Sequence, residues 1–430
     1  MRLHPYIIII FFIVIGAARS FLFPTEILKE GDHVSCIGVV EIPPKISKNK
    51  QVINLKCKSI TITSESKLRE LANYPLTVRA PAYPKYFYGD ELKVDSTANE
   101  YLNFNYPKIK HLGTKSKNFH YYIYALRDDI ENRLNQLLPS DNASLVMGML
   151  LGSSKEYDEQ ITDAFVSTGT LHMIVVSGYN VTLVSTIVLT LSGIIHRRLA
   201  IILAIIAIIL FVILSGAQPP AIRAGFMGFM VLLGSFFGRK TMAVYLVVLT
   251  ASVLYAASPS IAMSLSFQLS CLATLGILII PNILDKYIPI LTTLKLPIIK
   301  FIATQLKITL SAQIAVTPVI LLHFSQLSLI APLSNLAVSW AVPYIMVSGL
   351  VLILSSYLNI LLSQIISVVP QLFTAYFLQA VVLLGSIPMS SIDNIKINIF
   401  FATSYYAFLL YIITKNSYDK NYSNSDDLKK

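Results

Sequence analysis

The chain has 430 residues, of which 54% are hydrophobic and 13% charged, and its mean hydropathy is +0.64. Apolar runs of about 20 residues, the length of a bilayer crossing, recur through residues 171–414 and exclude an ordinary soluble globule. The formal charge of +11, from 34 Lys and Arg against 23 Asp and Glu, fits either cytoplasmic loop charge that fixes orientation or a basic lining for an anionic substrate.

In chain order, "MRLHPYIIIIFFIVIGAARSFLF" sets Arg2 before an apolar run and a "GAA" that resembles a signal-peptidase site. The alternative is an uncleaved anchor continuing through Phe21–Phe23. Both readings make residues 1–24 a membrane-targeting or anchoring segment and send the chain after Pro24 across the membrane. Residues 25–115 alternate in short runs punctuated by Gly, Pro and Asn, which predicts a small extracytoplasmic β-barrel of OB-like type. Cys36 and Cys57 both fall there. An oxidising compartment would join them and a reducing one would not; Cys271, in an apolar run, reads as packing. In "APAYPKYFYGD", Tyr83, Tyr86, Phe87 and Tyr88 flank Lys85, a combination that could stack nucleobases or pack the barrel edge.

Residues 116–168 read as amphipathic helices at the outer membrane interface. The first spans 117–138, with Ile123, Leu126, Ile130, Leu134 and Leu137 at helical spacing, and ends at Pro139. Two shorter helices follow at 142–151, stopped by Gly152, and 156–167, capped by Ser153 or Ser154. The cluster Glu156, Asp158, Glu159 and Asp163 reads as a solvated face; a metal site there would lack histidine support.

Spans are expected at 171–194, 199–217, 221–237, 241–257, 261–281, 304–322, 330–357, 360–386 and 397–414. With the N-terminal segment they give an α-helical polytopic membrane protein of about ten crossings. With the N-terminus inside, the loops of Arg197–Arg198, Arg239–Lys240 and Lys286–Lys300 and the tail from Lys415 fall inside, and Lys396 is the exception. Residues 416–430 read as a disordered cytoplasmic tail.

Polar side chains inside such spans are costly unless they are paired or line water. His172, Ser177 and Asn180 fall within an arc of about 140° on a continuous helix, but Gly178 can break that helix. Arg223, after "AQPPAI", either snorkels or contacts an anion at a pore mouth. Ser264, Gln268 and Cys271 share a face, and Gln305, Thr309, Gln313 and Thr317 make a polar stripe. His323, Gln326, Ser334 and Asn335 follow in a segment interrupted by Pro332 and Pro343, as in a broken or re-entrant helix. Between Ala164 and Thr414 the only acidic residues are Asp285 and Asp393. A cation-coupled transporter usually needs a midplane carboxylate, whereas a route for a polyanion avoids them. The sequence has no HExxH, P-loop or GxSxG pattern to suggest a metallohydrolase, an ATP motor or a hydrolase elbow, and a His172–Ser177 dyad is poorly spaced for a hydrogen bond.

These segments together resemble the ComEC family of bacterial competence proteins. "GTLHMIVVSGYNV" is similar to that family's "GlxHLLAVSGLHV" at Gly169, His172, Ser177, Gly178 and Val181. "MGMLLGSS" resembles its "ALLLGDR" at Leu150, Leu151 and Gly152, and "PPAIRAGFM" resembles "PxxRAxxM" with Arg223. "LSFQLSCLATLGIL" and "HFSQLSLIAPLSNLAV" are similar to two further family segments and carry Gln268 and Asn335. Asn180 stands where the family has a second histidine, which keeps hydrogen bonding but no titrating imidazole.

The resemblance implies an inner-membrane channel, residues 169–415, for single-stranded DNA during natural transformation. His172, Ser177, Gly178, Asn180, Arg223, Gln268, Gln313, His323 and Asn335 would lie along its path. Tyr83, Lys85, Tyr86 and Tyr88 would be offered to DNA from an external OB-fold domain. It also implies an external DNA receptor, a cytosolic helicase-like ATPase and a separate nuclease as partners. No cofactor, metal or catalytic residue is expected, because the chain ends without the metallo-β-lactamase-like domain of many members. A small-solute transporter is the alternative.

Overall fold

The computed structural model describes residues 33–47, 50–64, 67–71, 74–97, 104–105, 107–114, 119–153, 157–239, 242–259, 264–287 and 297–427. The targeting segment expected at 1–24 lies outside them.

The N-terminal unit is an antiparallel sheet built on a long hairpin, β1 (His33–Ser47) and β2 (Lys50–Ser64). β3 (Lys67–Leu71) and β4 (Tyr74–Pro81) pair with β2, and β5 (Asp90–Thr97) pairs with β1. β6 (Phe104–Asn105) joins β4 in parallel and β7 (Lys108–Thr114) closes the other end on β5. Residues alternate in and out because the side-chain period of a strand is two. Val34, Cys36, Val40, Ile53, Leu55, Leu76, Val78, Leu92 and Val94 therefore form one apolar face, each no more than 3% exposed. The ladder is an open path, β6-β4-β2-β1-β5-β7, with β3 also on β2. Cys36 and Cys57 are joined by a disulfide across β1 and β2, with Cα atoms 5.7 Å apart. The register shifts at Ile37/Gly38 beside it, and a Cβ on Gly38 would come within 2.8 Å of the Lys56 carbonyl.

The helices expected at 117–138, 142–151 and 156–167 are α1 (Phe119–Leu137), α2 (Ser140–Leu151) and α3 (Glu159–Ser167). Asp158, Glu159 and Asp163 are exposed, as a solvated face would be. α2 is not a surface helix. Every residue from Asn142 to Leu151 is buried, and Leu145, Met147 and Met149 anchor the helical core. Its sequence, SDNASLVMGMLL, is apolar round most of its circumference, which is the pattern of a helix enclosed on all sides.

The segment expected as one span at 171–194 is interrupted. α4 (Leu171–Ile174) is a single turn, Val175 is extended, and α5 (Gly178–Thr190) begins afresh. There follow α6 (Arg197–Leu214), α7 (Pro219–Phe236), α8 (Ala243–Ala257), α9 (Leu265–Ile279), α10 (Pro281–Tyr287) and α11 (Pro297–Phe324). A two-residue strand β8 (Leu327–Ser328) precedes α12 (Ala331–Ser339) and α13 (Ala341–Leu358), which meet at Trp340. Pro332 and Pro343 each sit in a first turn, where a missing N–H costs no helix bond, so the break falls between them. α14 (Ile360–Gly385) packs back on α13, β9 (Ser391–Ile392) pairs with β8, and α15 (Ile399–Asp427) ends the described chain. α15 continues through the polar segment expected to be disordered; no Gly or Pro follows Lys415 to stop it.

Among the described residues six helices are long and apolar enough to cross a membrane: Arg197–Leu214, Pro219–Phe236, Leu265–Lys286, Ile299–Phe324, Ala331–Leu358 and Ile360–Gly385. Gly178–Gly193 and Ala243–Ala257 are apolar but shorter.

Candidate functional site at a broken helix

Three of the segments singled out by sequence, those of Gly169, Asn180 and Ser328, come together around the interruption between α4 and α5. Gly169 turns the chain with φ +68°, and a Cβ there would sit 3.0 Å from that of Ala331 and 3.3 Å from that of Ser328. The close approach of the Gly169 turn to the β8–α12 junction requires a residue without a side chain. The turn is stiffened by Thr168, whose hydroxyl donates to the Ala164 carbonyl at 2.6 Å and lies 2.8 Å from the Thr170 hydroxyl, both residues being fully buried. His172 bonds the Gly169 carbonyl through Nδ1 at 2.9 Å and keeps its surface open.

Ser177, half-buried, and Asn180, buried, are hydrogen-bonded across the break. Ser177 donates to Asn180 Oδ1 at 3.2 Å, and Asn180 Nδ2 donates to the Met149 carbonyl at 3.1 Å. Met149 is in the last turn of α2, where carbonyls lack a helical partner. Gln218, the residue before α7, does the same for the Gly152 carbonyl at 2.6 Å. Gly148 lets the Ile174 carbonyl of the broken helix come against α2, where a Cβ would collide with it. The arc of His172, Ser177 and Asn180 expected on a continuous helix is therefore replaced by two different environments: His172 has an exposed side chain, and Asn180 is 1% exposed and bonded.

Arg223 is 3% exposed, on α7, with one guanidinium nitrogen, Nη1, buried and without a protein partner. Its guanidinium lies 5.7 Å from the ring centroid of Phe267 on α9. Snorkelling is thus replaced by burial beside the Phe267 ring. Gln268 and the free thiol of Cys271 are half-buried on the same helix.

Gln313 reaches from the α11 stripe to the β8–α12 junction, donating from Nε2 to the Ser328 carbonyl at 2.9 Å. Its own Oε1 is buried without a partner, and so are Ser328 Oγ, Ser334 Oγ and Asn335 Oδ1. Buried polar atoms are nearly always satisfied, by protein or by water. Four such oxygens on α11, β8 and α12, beside the Gly169 turn, mark a polar seam in an otherwise apolar helical body. His323 bonds back to the Val319 carbonyl at 3.0 Å and faces outward at the far end of α11, apart from this seam. Sequence reasoning missed Ser328, Thr168 and Thr170, whose hydroxyls look like ordinary loop residues. It also missed Lys307, which pairs with Asp285 at 2.7 Å and neutralises one of the two acids in this part of the chain.

In the sheet domain, the Tyr83–Tyr88 loop is pinned from beneath. Buried Gln51 donates to the Pro81 and Pro84 carbonyls at 2.7 and 2.6 Å, and buried Asp90 accepts from the Phe87 amide at 2.8 Å. Tyr83 is 71% and Phe87 56% exposed, with the Lys85 ammonium 5.8 Å from the Tyr83 ring. Tyr86 instead packs on the sheet core, and Tyr88 packs against Tyr124 of α1, with ring centroids 4.7 Å apart and the rings tilted by 40°. Among the described residues no group of three or more His, Cys, Asp or Glu is arranged to hold a metal.

A family model described as Competence protein matches residues 149–417. The chain is 27% identical over 250 residues to ComE operon protein 3 of Bacillus subtilis (strain 168), an alignment covering 55% of this chain and 30% of that protein. The match thus spans less than a third of the curated relative. No solved structure matches the chain.

Proposed function

The chain belongs to the Competence protein family, and on that premise we propose that it is a bacterial inner-membrane channel through which single-stranded DNA enters the cytoplasm during natural transformation. The observation that carries the reading is the polar seam. Gln313, Ser328, Ser334 and Asn335 present buried oxygens without partners where the Gly169 turn meets the β8–α12 junction. Broken helices whose freed polar groups line a wet cavity are the usual device for moving a hydrophilic cargo through lipid. The acid-poor stretch from Ala164 to Thr414 suits a polyanion, and the unpartnered Arg223 Nη1 is a donor for phosphate.

In this mechanism the sheet domain is an OB-like, extracytoplasmic receiver. Tyr83 and Lys85 offer a stacking face and a charge to single-stranded DNA from a pinned loop, while Tyr86 and Tyr88 hold that loop in place. Arg223 meets phosphate; His172, Gln268, Gln313 and Asn335 line the route; Ser177, Gly178 and Asn180 keep the helix broken. His323 would stand at an end of the path. Energy and delivery come from partners of the expected kinds, an external receptor, a cytosolic helicase-like ATPase and a separate nuclease.

The test is uptake of labelled DNA by the native cell, comparing wild type, a deletion, Arg223→Ala and His172→Ala. Loss of internalised DNA, with surface-bound DNA and membrane protein levels retained, is expected. Unchanged internalisation in the deletion strain would sink the DNA reading and move a small-solute transporter to first place.

A further inference from the structure

We propose that the first half of α1 is a lipid-facing foot: Tyr122 and Leu126, with Phe119 beside them, lie in the headgroup layer of the bilayer and hold the sheet domain over it. The proposal rests on the reading of the long apolar helices as membrane spans.

Phe119, Tyr122, Leu126, Asp129 and Arg133 follow one another at intervals of three and four residues, so they form one stripe along α1. The second half of the stripe is docked on protein. Asp129 accepts from the Tyr357 hydroxyl at 2.6 Å, and Arg133 Nη1 donates to the Ser356 carbonyl at 2.8 Å. In the first half Tyr122 is 60% and Leu126 47% exposed, and Phe119 is 67% exposed. The core face, where Ile130 and Leu134 are 5% and 1% exposed, borders the stripe, one and two turns on from Leu126.

What lies over that stripe is fixed by depth. Arg127, next to Leu126, has Nη1 against Gly216, 2.7 Å from where a Cβ would stand. Gly216 belongs to the tight turn between Arg197–Leu214 and Pro219–Phe236, two candidate spans. Irregular backbone between two spans sits at the bilayer boundary rather than in hydrocarbon. Leu126 is therefore at that boundary, and Tyr122 is about 6 Å along the helix from it. Tyrosine is the side chain that this layer favours, with its ring among acyl chains and its hydroxyl among headgroups. Tyr124, two positions on and so on the far side of the helix, carries the Tyr88 ring of the sheet domain at 4.7 Å. One helix thus joins lipid on one side to the sheet domain on the other.

The chain of 430 residues has a single tryptophan, so Tyr122→Trp in a Trp340→Phe background is a clean reporter after reconstitution into bilayers. Its emission should fall about two-fold in lipids brominated near the headgroup end of the chain, with weak quenching by iodide. Strong iodide quenching without lipid quenching would overturn the proposal in favour of a water-facing stripe. Resistance to both quenchers would overturn it in favour of a protein cover, such as a second copy. Ile206→Trp, exposed at the middle of α6, is the control for the underlying reading. If deeply brominated lipid fails to quench it, the span assignment fails; if only the reporter at position 122 is unquenched, the foot alone fails.

Discussion

Asn180 shows how much a single amide can do. It satisfies the Met149 carbonyl at the end of α2 and receives the Ser177 hydroxyl, inside a site that is 1% exposed. Asn180→Ala should cost about 1–3 kcal/mol, because it orphans a buried carbonyl as well as deleting a bond. The loss would be read as a lower melting temperature of the purified protein, and an unchanged one would refute the clamp. Asp129 is a milder case. The Tyr357 hydroxyl first, and the Arg133 guanidinium second, hold its carboxyl below the usual carboxylate range. A depressed folded pKa means that the contribution is present above the unfolded value of about 3.9 and is lost as pH falls through the folded value. The carboxylate is 47% exposed, so the effect is small, and Asp129→Asn should remove an acid-induced melting shift of about 2 °C or less. An acid shift unchanged in that variant would assign the titration to another group.

At the scale of elements, α11 carries Pro318 in its interior and yet does not stop. Proline supplies no N–H for the carbonyl four residues earlier, that of Ile314. Tyr405 of α15 donates its hydroxyl to that carbonyl at 3.0 Å, and Tyr406 donates to Ala315 at the same distance. Tyr405→Phe should therefore destabilise the native chain by about 1–2 kcal/mol and cost less in a Pro318→Ala background, where the backbone N–H at 318 returns. Equal costs in the two backgrounds would show that the tyrosine does not compensate the proline. None of this was legible beforehand, since the contact joins residues 91 positions apart. The helices themselves were legible, because their apolar runs and their Gly and Pro stops are local. The break at Val175–Ser177 was half legible: Gly178 marked it, but Gly178 begins the new helix rather than ending the old one. The burial of α2 could have been read from its nearly all-round apolar circumference, and was obscured by its polar neighbours on either side.

For the whole molecule, the decisive fact is that segments far apart in sequence close on one seam. The resemblance named His172, Asn335 and Gln268 as an ordered series of motifs; it could not say that the Gly169 turn lies against Ala331, because spacing along the chain carries no distance across it. That contact makes a test of the assembled site. Gly169→Ala adds a methyl 3.0 Å from the Ala331 Cβ and forces a side chain onto a backbone at φ +68°. Both effects should loosen the seam and lower DNA entry with the protein still in the membrane. Ala331→Gly removes the opposing methyl but leaves the left-handed backbone, which costs about 1 kcal/mol for a residue with a Cβ. The double variant should therefore recover part of the uptake and not all of it. Full recovery would mean that the backbone of Gly169 is not strained in the working protein. No recovery would mean that the two segments do not touch while DNA passes, and the seam would then have to open there.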